Sequence, residues 1–454
     1  MRSILLFAAV NCILIFSYTN AYSQLNQWTW VHGDSTVDAA PVYGTQGVPH
    51  PDNTPGALYE PCQWKDNNGN LWIYGGHGSS YYPDDLWKFN PVTEQWTWVK
   101  GSGTGTTSMP VYGTKGTPSV SNSPGTRTLA FPGWVDENGD LWLFGGARGP
   151  NDSIRNDLWK YNISSGAWTW MHGNTSFDSP GIYGTKGVSS PANTPGARDE
   201  TTCSWVDSAG NFWLFGGRGY DVNGDYGLLN DLWRYDPGAN EWTWMNGSNT
   251  VNDPGVYGVK GTPDSNNRPS GRWVYSHWKD DDGDLWLFGG QGNFGYYSDL
   301  WKYDVSANEW AWMHGPNTSN DAGTFGTKGV PSSSNNPPAI METRACWQDD
   351  CYFYLFGGNS MAGCYNTLWR YDPETDEWTW LHGKNTANDA GKYGTKGMAS
   401  PSNMPAASKG AVSWRDDNGN FWLFGGFVFS EFSVVDALWK YVPEVPTCNP
   451  APVS

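Results

Sequence analysis

Six apolar runs of strand length recur along the chain, each closed by a pair of glycines. Asn211-Phe-Trp-Leu-Phe-Gly-Gly217 is typical, and the first glycine of the pair falls at Gly75, Gly145, Gly216, Gly289, Gly357 and Gly425. A short continuous apolar run bounded by a turn signal predicts a buried strand followed by a forced turn. Three further strand-like pieces accompany it. A first strand ends in Trp-x-Asp, with its tryptophan at Trp64, Trp134, Trp205, Trp278, Trp347 and Trp414, and leads through a turn such as Asp66-Asn-Asn-Gly69 into the apolar run. A third strand resembles Asp157-Leu-Trp-Lys-Tyr161, with Trp87, Trp159, Trp233, Trp301, Trp369 and Trp439 in one slot. The fourth is Trp-Thr-Trp or a variant, starting at Trp28, Trp96, Trp168, Trp242, Trp310 and Trp378.

The spacing makes these pieces one repeated unit. From third-strand to fourth-strand tryptophan is always 9 residues, whereas the gap from Gly-Gly to the third strand varies between 12 and 17. The loop between second and third strands is therefore the elastic strand connection. Repeat slots take 29 of the 30 tryptophans, with Trp273 the exception and Tyr354 filling a vacant slot. Tryptophan is accordingly expected as core. The last unit lacks its Trp-Thr-Trp, while an orphan copy at Trp28 opens the repeat region. The N-terminal strand is expected to complete the last sheet, which would bury an exposed edge. Expected boundaries are residues 1–23 as a leader, 24–442 as the repeat domain and 443–454 as a Pro-rich tail or linker.

Composition narrows the class. With 57 glycines, 16% aromatic and 16% charged residues, an all-β chain of short strands is expected rather than a helical or disordered one. The net charge of -18 argues against nucleic acid, whose phosphates call for a basic stripe, and against an anionic membrane surface. Met1-Arg2, the apolar run from Ile4 to Phe16 and Ala21-Tyr22-Ser23 read as a secretory signal with cleavage before Gln24. A secreted or cell-surface protein follows as the expectation, with no membrane insertion after cleavage and a monomeric state. Of seven cysteines, Cys62 and Cys203 share an inner-strand slot and read as buried thiols. Cys346 and Cys351 flank a short turn and are a candidate hairpin disulfide.

The arrangement resembles the Kelch β-propeller family. The match is the Gly-Gly doublet, then an aromatic, then tryptophan seven positions later: Tyr161 to Trp168, Tyr235 to Trp242, Tyr303 to Trp310, Tyr371 to Trp378, and Phe89 to Trp96 as a variant. The resemblance implies an all-β, six-bladed β-propeller with four antiparallel strands per blade. The units here, about 70 residues each, exceed the family's roughly 50. The excess lies between fourth and first strands, in inserts typified by Gly181-Ile-Tyr-Gly-Thr-Lys-Gly187. Repeated Tyr and Lys residues there, such as Tyr112 with Lys115, are expected to brace neighbouring blades. In an up-and-down blade these inserts and the elastic loops share one face, the expected binding face.

The family also includes galactose oxidase, whose copper site would need two histidines and a Cys-Tyr crosslink at the axis. His32, His172, His314 and His382 instead share an outer-strand slot, and His50, His77 and His277 form no copper pattern, so no cofactor or metal is expected. Asp136 to Asp140 and Asp280 to Asp284 superficially resemble calcium loops but fit plain hairpin turns. No nucleophile elbow, phosphate loop or zinc motif occurs. The candidate ligand residues lie on the elastic loops: His77, Tyr82, Arg148, Arg218, Asp221, Tyr226, Gln291, Tyr296 and Asn359, as a polar and aromatic rim for a glycan or extracellular protein. The expectation is a non-catalytic binding module. A sugar-active propeller enzyme (epimerase or oxidase-like), or a structural module of a larger surface protein, is the alternative.

Overall fold

The computed structural model describes residues 24–445 and Cys448, apart from 130 and 150–152; the leader and most of the tail lie outside the described residues. Among the described residues there is no helix, and the strands assemble into antiparallel sheets. The first sheet shows the plan. Cys62–Lys65, Leu71–Tyr74, Leu86–Asn90 and Gln95–Lys100 pair in chain order, joined by tight turns except between the second and third. Four more sheets repeat it, their inner strands being Gly133–Val135, Trp205–Val206, Ser276–Lys279 and Cys346–Gln348. In another sheet, Val412–Arg415, Phe421–Phe424 and Leu438–Val442 are joined by Gln27–His32, in register Trp28 to Tyr441 and Trp30 to Trp439.

Every apolar second strand is buried along its length, which is why it reads as a continuous rather than alternating run. Its neighbours pack against it through the tryptophan slots. Trp134 stacks on Phe212 of the following sheet with ring centroids 5.3 Å apart, and Trp278 on Phe353 and Trp347 on Phe421 do the same at 5.3 and 5.1 Å. Each of these indoles also donates across the gap between sheets. Trp64 Nε1 bonds Trp142 O at 2.8 Å, Trp205 Nε1 bonds Trp278 O at 2.7 Å and Trp347 Nε1 bonds Trp414 O at 2.9 Å. Stacking and hydrogen bonding through one side chain explain why that slot admits no smaller residue.

The inserts brace the sheets. Tyr112, Tyr183 and Tyr257 donate their hydroxyls to Asp157, Asp231 and Asp299, at 2.8, 2.6 and 2.7 Å. The same aspartates pair with Arg127, Arg198 and Arg272, all six charged side chains being fully out of water, and accept the indole N–H of Trp159, Trp233 and Trp301. Each insert lysine then covers an outer-strand tryptophan. Lys115 lies 4.2 Å from the centre of Trp170, Lys186 4.3 Å from Trp244 and Lys396 4.4 Å from Trp30.

One cysteine expectation is corrected. Cys351 is bonded to Cys448, not to Cys346, which is free. Cys346 stands on an inner strand with its thiol toward His277 O, whereas Cys351 sits beyond the turn, so the two point to different places despite their closeness in sequence. The tail is thereby tied to the turn after that inner strand.

Candidate functional site

Just before each inner strand the chain passes a residue in the left-handed region: Glu60, Leu129, Glu200, Val274, Glu342 and Gly410, with φ between 49 and 64°. Five of these are not glycine, and such strain concentrates where geometry is functionally constrained. Their backbones bond one sheet to another: Glu200 N to Leu129 O, Val274 N to Glu200 O, Glu342 N to Val274 O, Gly410 N to Glu342 O and Glu60 N to Gly410 O, at 2.8 to 3.0 Å. The residue preceding each pairs with the residue following the Gly-Gly doublet. The glycines make this possible. Gly216 and Gly217 have φ of 56 and 94°, and a Cβ on Gly217 would lie 1.9 Å from Thr201 Oγ1.

Six cross-strand pairs result, no two alike: Tyr59 with His77, Thr128 with Ala147, Asp199 with Arg218, Trp273 with Gln291, Met341 with Asn359, and Lys409 with Phe427. Four of the sequence-derived candidates, His77, Arg218, Gln291 and Asn359, thus share one structural slot. Three more stand beside it. Tyr82 lies over His77 with centroids 6.2 Å apart, Tyr296 pairs with Gln291 and accepts from Asn359 Nδ2 at 3.5 Å, and the half-exposed Tyr226 sits beside Tyr220. Arg148 and Asp221 lie apart. Arg148 reaches Met109 and Phe177 of the inserts. Asp221 is buried and accepts the backbone N–H of Asn223, Asp225 and Val251.

The electrostatics of this group are dominated by burial. Arg218 bonds Asp199 at 3.1 Å, approaches Glu200 at 3.9 Å and has its guanidinium 5.1 Å from the centre of the Trp273 ring. Burial nevertheless outweighs Arg218 and raises the Asp199 carboxyl above its ordinary range. Burial, then the charge of Glu342, pushes Glu60 up to about 8, and burial with Glu60 and Asp199 holds Glu200 well above the usual carboxylate range. Glu342 is engaged by the Tyr59 hydroxyl and by Lys409 at 2.9 Å. Burial pushes His77 down to about 4, so its imidazole is neutral at physiological pH.

The glutamates were missed in the sequence. Their signal is a residue four or five positions before the first-strand tryptophan, Glu in three units and Leu, Val or Gly in the others, so no motif repeats. Trp273 was visible as the tryptophan outside every slot, and the structure pairs it with Gln291 and sets it beside Arg218.

The opposite ends of the inner strands enclose a cavity of about 500 Å³ with a different character. Several of its polar groups join strands. Gln63 exchanges two hydrogen bonds with the Ser413 backbone at 2.7 and 3.1 Å, and Gln348 does the same with Lys279 at 2.9 and 3.1 Å. Burial pushes the Cys346 thiol up to about 11 and the His277 imidazole down to about 3, leaving both uncharged near neutrality. The turn carboxylates resembling calcium loops are likewise occupied: Asp136 accepts from the Asn138 and Asp140 N–H, the Trp142 indole and Lys160. Among the described residues no three His, Cys, Asp or Glu side chains converge as a metal site, and no helix is long and apolar enough to cross a membrane.

Comparison with known proteins bears on the fold first. The Kelch motif model matches residues 348–379, a stretch running from one inner strand through its Gly-Gly doublet to the outer strand of the same sheet. The chain carries a Kelch motif, and its four-stranded antiparallel sheets are consistent with a Kelch β-propeller. A xyloglucanase of a Paenibacillus species is 32% identical over 90 residues, a stretch that is 19% of this chain and 9% of that protein.

Proposed function

We propose that the six sheets are the blades of one closed propeller, completed by the N-terminal strand, and that it works as an exported, monomeric, non-catalytic module binding carbohydrate at the axial mouth on the loop side. The observation that carries the reading is the set of six unlike pairs at that mouth. Their side chains serve no slot of the repeat, yet they gather a partly exposed guanidinium, amides and aromatic faces where the scaffold needs none of them. Aromatic faces flanked by amide and ionic groups are what a sugar ring requires, stacking for its C–H face and directed hydrogen bonds for its hydroxyls. The partial similarity to a protein named xyloglucanase supports the same ligand class. Affinity electrophoresis in gels containing plant polysaccharides tests it. Retardation by at least one glycan, lost in Trp273→Ala and Arg218→Ala, is expected; a folded protein retarded by none overturns it.

A second reading, a sugar-active enzyme, is favoured by one observation: buried carboxyls with raised pKa values, Glu60 and Glu200, meet at this mouth. Release of reducing ends from a polysaccharide the protein binds, abolished by Glu200→Gln, would replace the first reading with the second.

A further inference from the structure

In alternate sheets the left-handed slot is glutamate, Glu60, Glu200 and Glu342, separated by Leu129, Val274 and Gly410. In the closed ring proposed above, alternation among six positions would set three carboxyls about its axis in roughly threefold spacing. They are 0, 4 and 4% exposed. Glu342 is engaged by Tyr59 and Lys409, but both carboxylate oxygens of Glu60 and the Oε2 of Glu200 are buried without a hydrogen-bond partner in the protein, and such groups call for one. With every carboxyl ionised, Glu60, Asp199, Glu200 and Glu342 outnumber the three cationic side chains here (Arg218, Arg344, Lys409) by one charge, a balance reached only as Glu60 and Glu200 give up their protons. The acid side chains are not gathered closely enough for a bare metal ion. A primary ammonium fits better, because it carries three N–H donors about one axis and is larger than a bare ion. The net charge of -18 draws cations to the protein as a whole.

We propose that Glu60, Glu200 and Glu342 form a receptor for a primary ammonium group, and that the glycan taken at this mouth carries one as an unacetylated amino sugar. The proposal rests on the carbohydrate reading above. Arg218 and Lys409, with 30 and 19% of their side chains exposed, form the rim past which the amino group enters. Glu60 faces Glu342 and Asp199, which favour its proton, and Arg344 and Lys409, which oppose it. Proton and ammonium therefore compete for the same carboxyl, and a permanently charged amine binds more tightly as that proton leaves.

Isothermal titration of the protein with methylammonium, chitosan oligosaccharide, its N-acetylated counterpart and cello-oligosaccharide separates the two readings. With Glu60 releasing its proton near pH 8, methylammonium is expected to bind about ninetyfold more tightly at pH 9 than at pH 6. Chitosan oligosaccharide is expected to bind and its acetylated form not to, and both interactions should vanish in Glu60→Gln or Glu200→Gln. Either variant serves if circular dichroism shows it folded. Methylammonium binding with no sugar bound upholds the ammonium site and overturns the carbohydrate reading. Neutral and amino sugars binding equally, unchanged in both variants, overturn the ammonium site and uphold the carbohydrate reading. No binding of any probe overturns both.

Discussion

Arg198 and Asp199 are neighbours in the chain and serve opposite regions of the molecule. Arg198 turns into the scaffold and meets Asp231 with two bonds of 2.8 Å, sealed under Tyr183 and beside Trp233. Asp199, paired in register with the residue after a Gly-Gly doublet, holds Arg218, about a third of whose side chain remains in water. The first pair recurs as Arg127 with Asp157 and Arg272 with Asp299; the second occurs in one sheet alone. The same ion-pair chemistry is thus used where identity between units matters, and again where difference matters. What distinguishes them is the number of additional donors on the aspartate, which fixes one pair in place and leaves the other adjustable.

The sharpest break of this contrast is Asp231→Ala, which strands the buried Arg198 charge and should lower stability by about 3–5 kcal/mol in urea denaturation. Arg218→Ala, in the same assay, should cost about 1 kcal/mol or less, because Asp199 takes up a proton, while glycan binding is lost. A larger loss for Arg218→Ala than for Asp231→Ala would erase the distinction. Next in size is a pH effect. Because Glu60 in the folded protein holds its proton up to about pH 8, against an ordinary 4.5, its contribution to stability is full below pH 4.5 and is lost as pH rises through 8. Glu60→Gln should flatten that decline, raising stability at pH 9 relative to the parent by roughly 2–4 kcal/mol; parallel pH profiles of the two proteins would contradict it. Trp205→Phe keeps an aromatic face but removes the second ring of a buried indole and its bond to Trp278 O, for about 2–3 kcal/mol measured by thermal melting. Least of all, Lys186→Met removes the ammonium over Trp244 and its bond to Gly247 O at 2.9 Å, for roughly 0.5–1 kcal/mol.

The same division explains what was legible in the sequence. The strands, their order in each sheet and the pairing of Gln27–His32 with Leu438–Val442 follow from tryptophans that recur because each performs one packing and bonding task in every unit. The bracing role of Tyr112 and Lys115 was legible for the same reason. In the slot after the Gly-Gly doublet no task recurs. His77, Arg218, Gln291 and Asn359 were singled out as residues of the elastic loops, and the structure puts all four in that slot. Glu60, Glu200 and Glu342 were not, since a left-handed φ leaves no mark on a glutamate in a sequence. Arg148 and Asp221 lie on the same loops but meet the inserts and their own turn instead, a difference that loop position alone does not carry. The Cys351 partner was hidden because closeness along the chain does not set the direction in which Cys346 points.

The pairing of the first strand with the last has a consequence for synthesis. Asn26 donates to Glu444 across 418 residues, so Gln27–His32 leaves the ribosome long before its partner strand. Until Leu438–Val442 emerges, Gln27–His32 offers an unpaired edge, and five sheets can form before it finds its place. A chaperone or translocation factor that holds that hexapeptide extended during synthesis would spare it from joining another sheet of its own chain or of a neighbour.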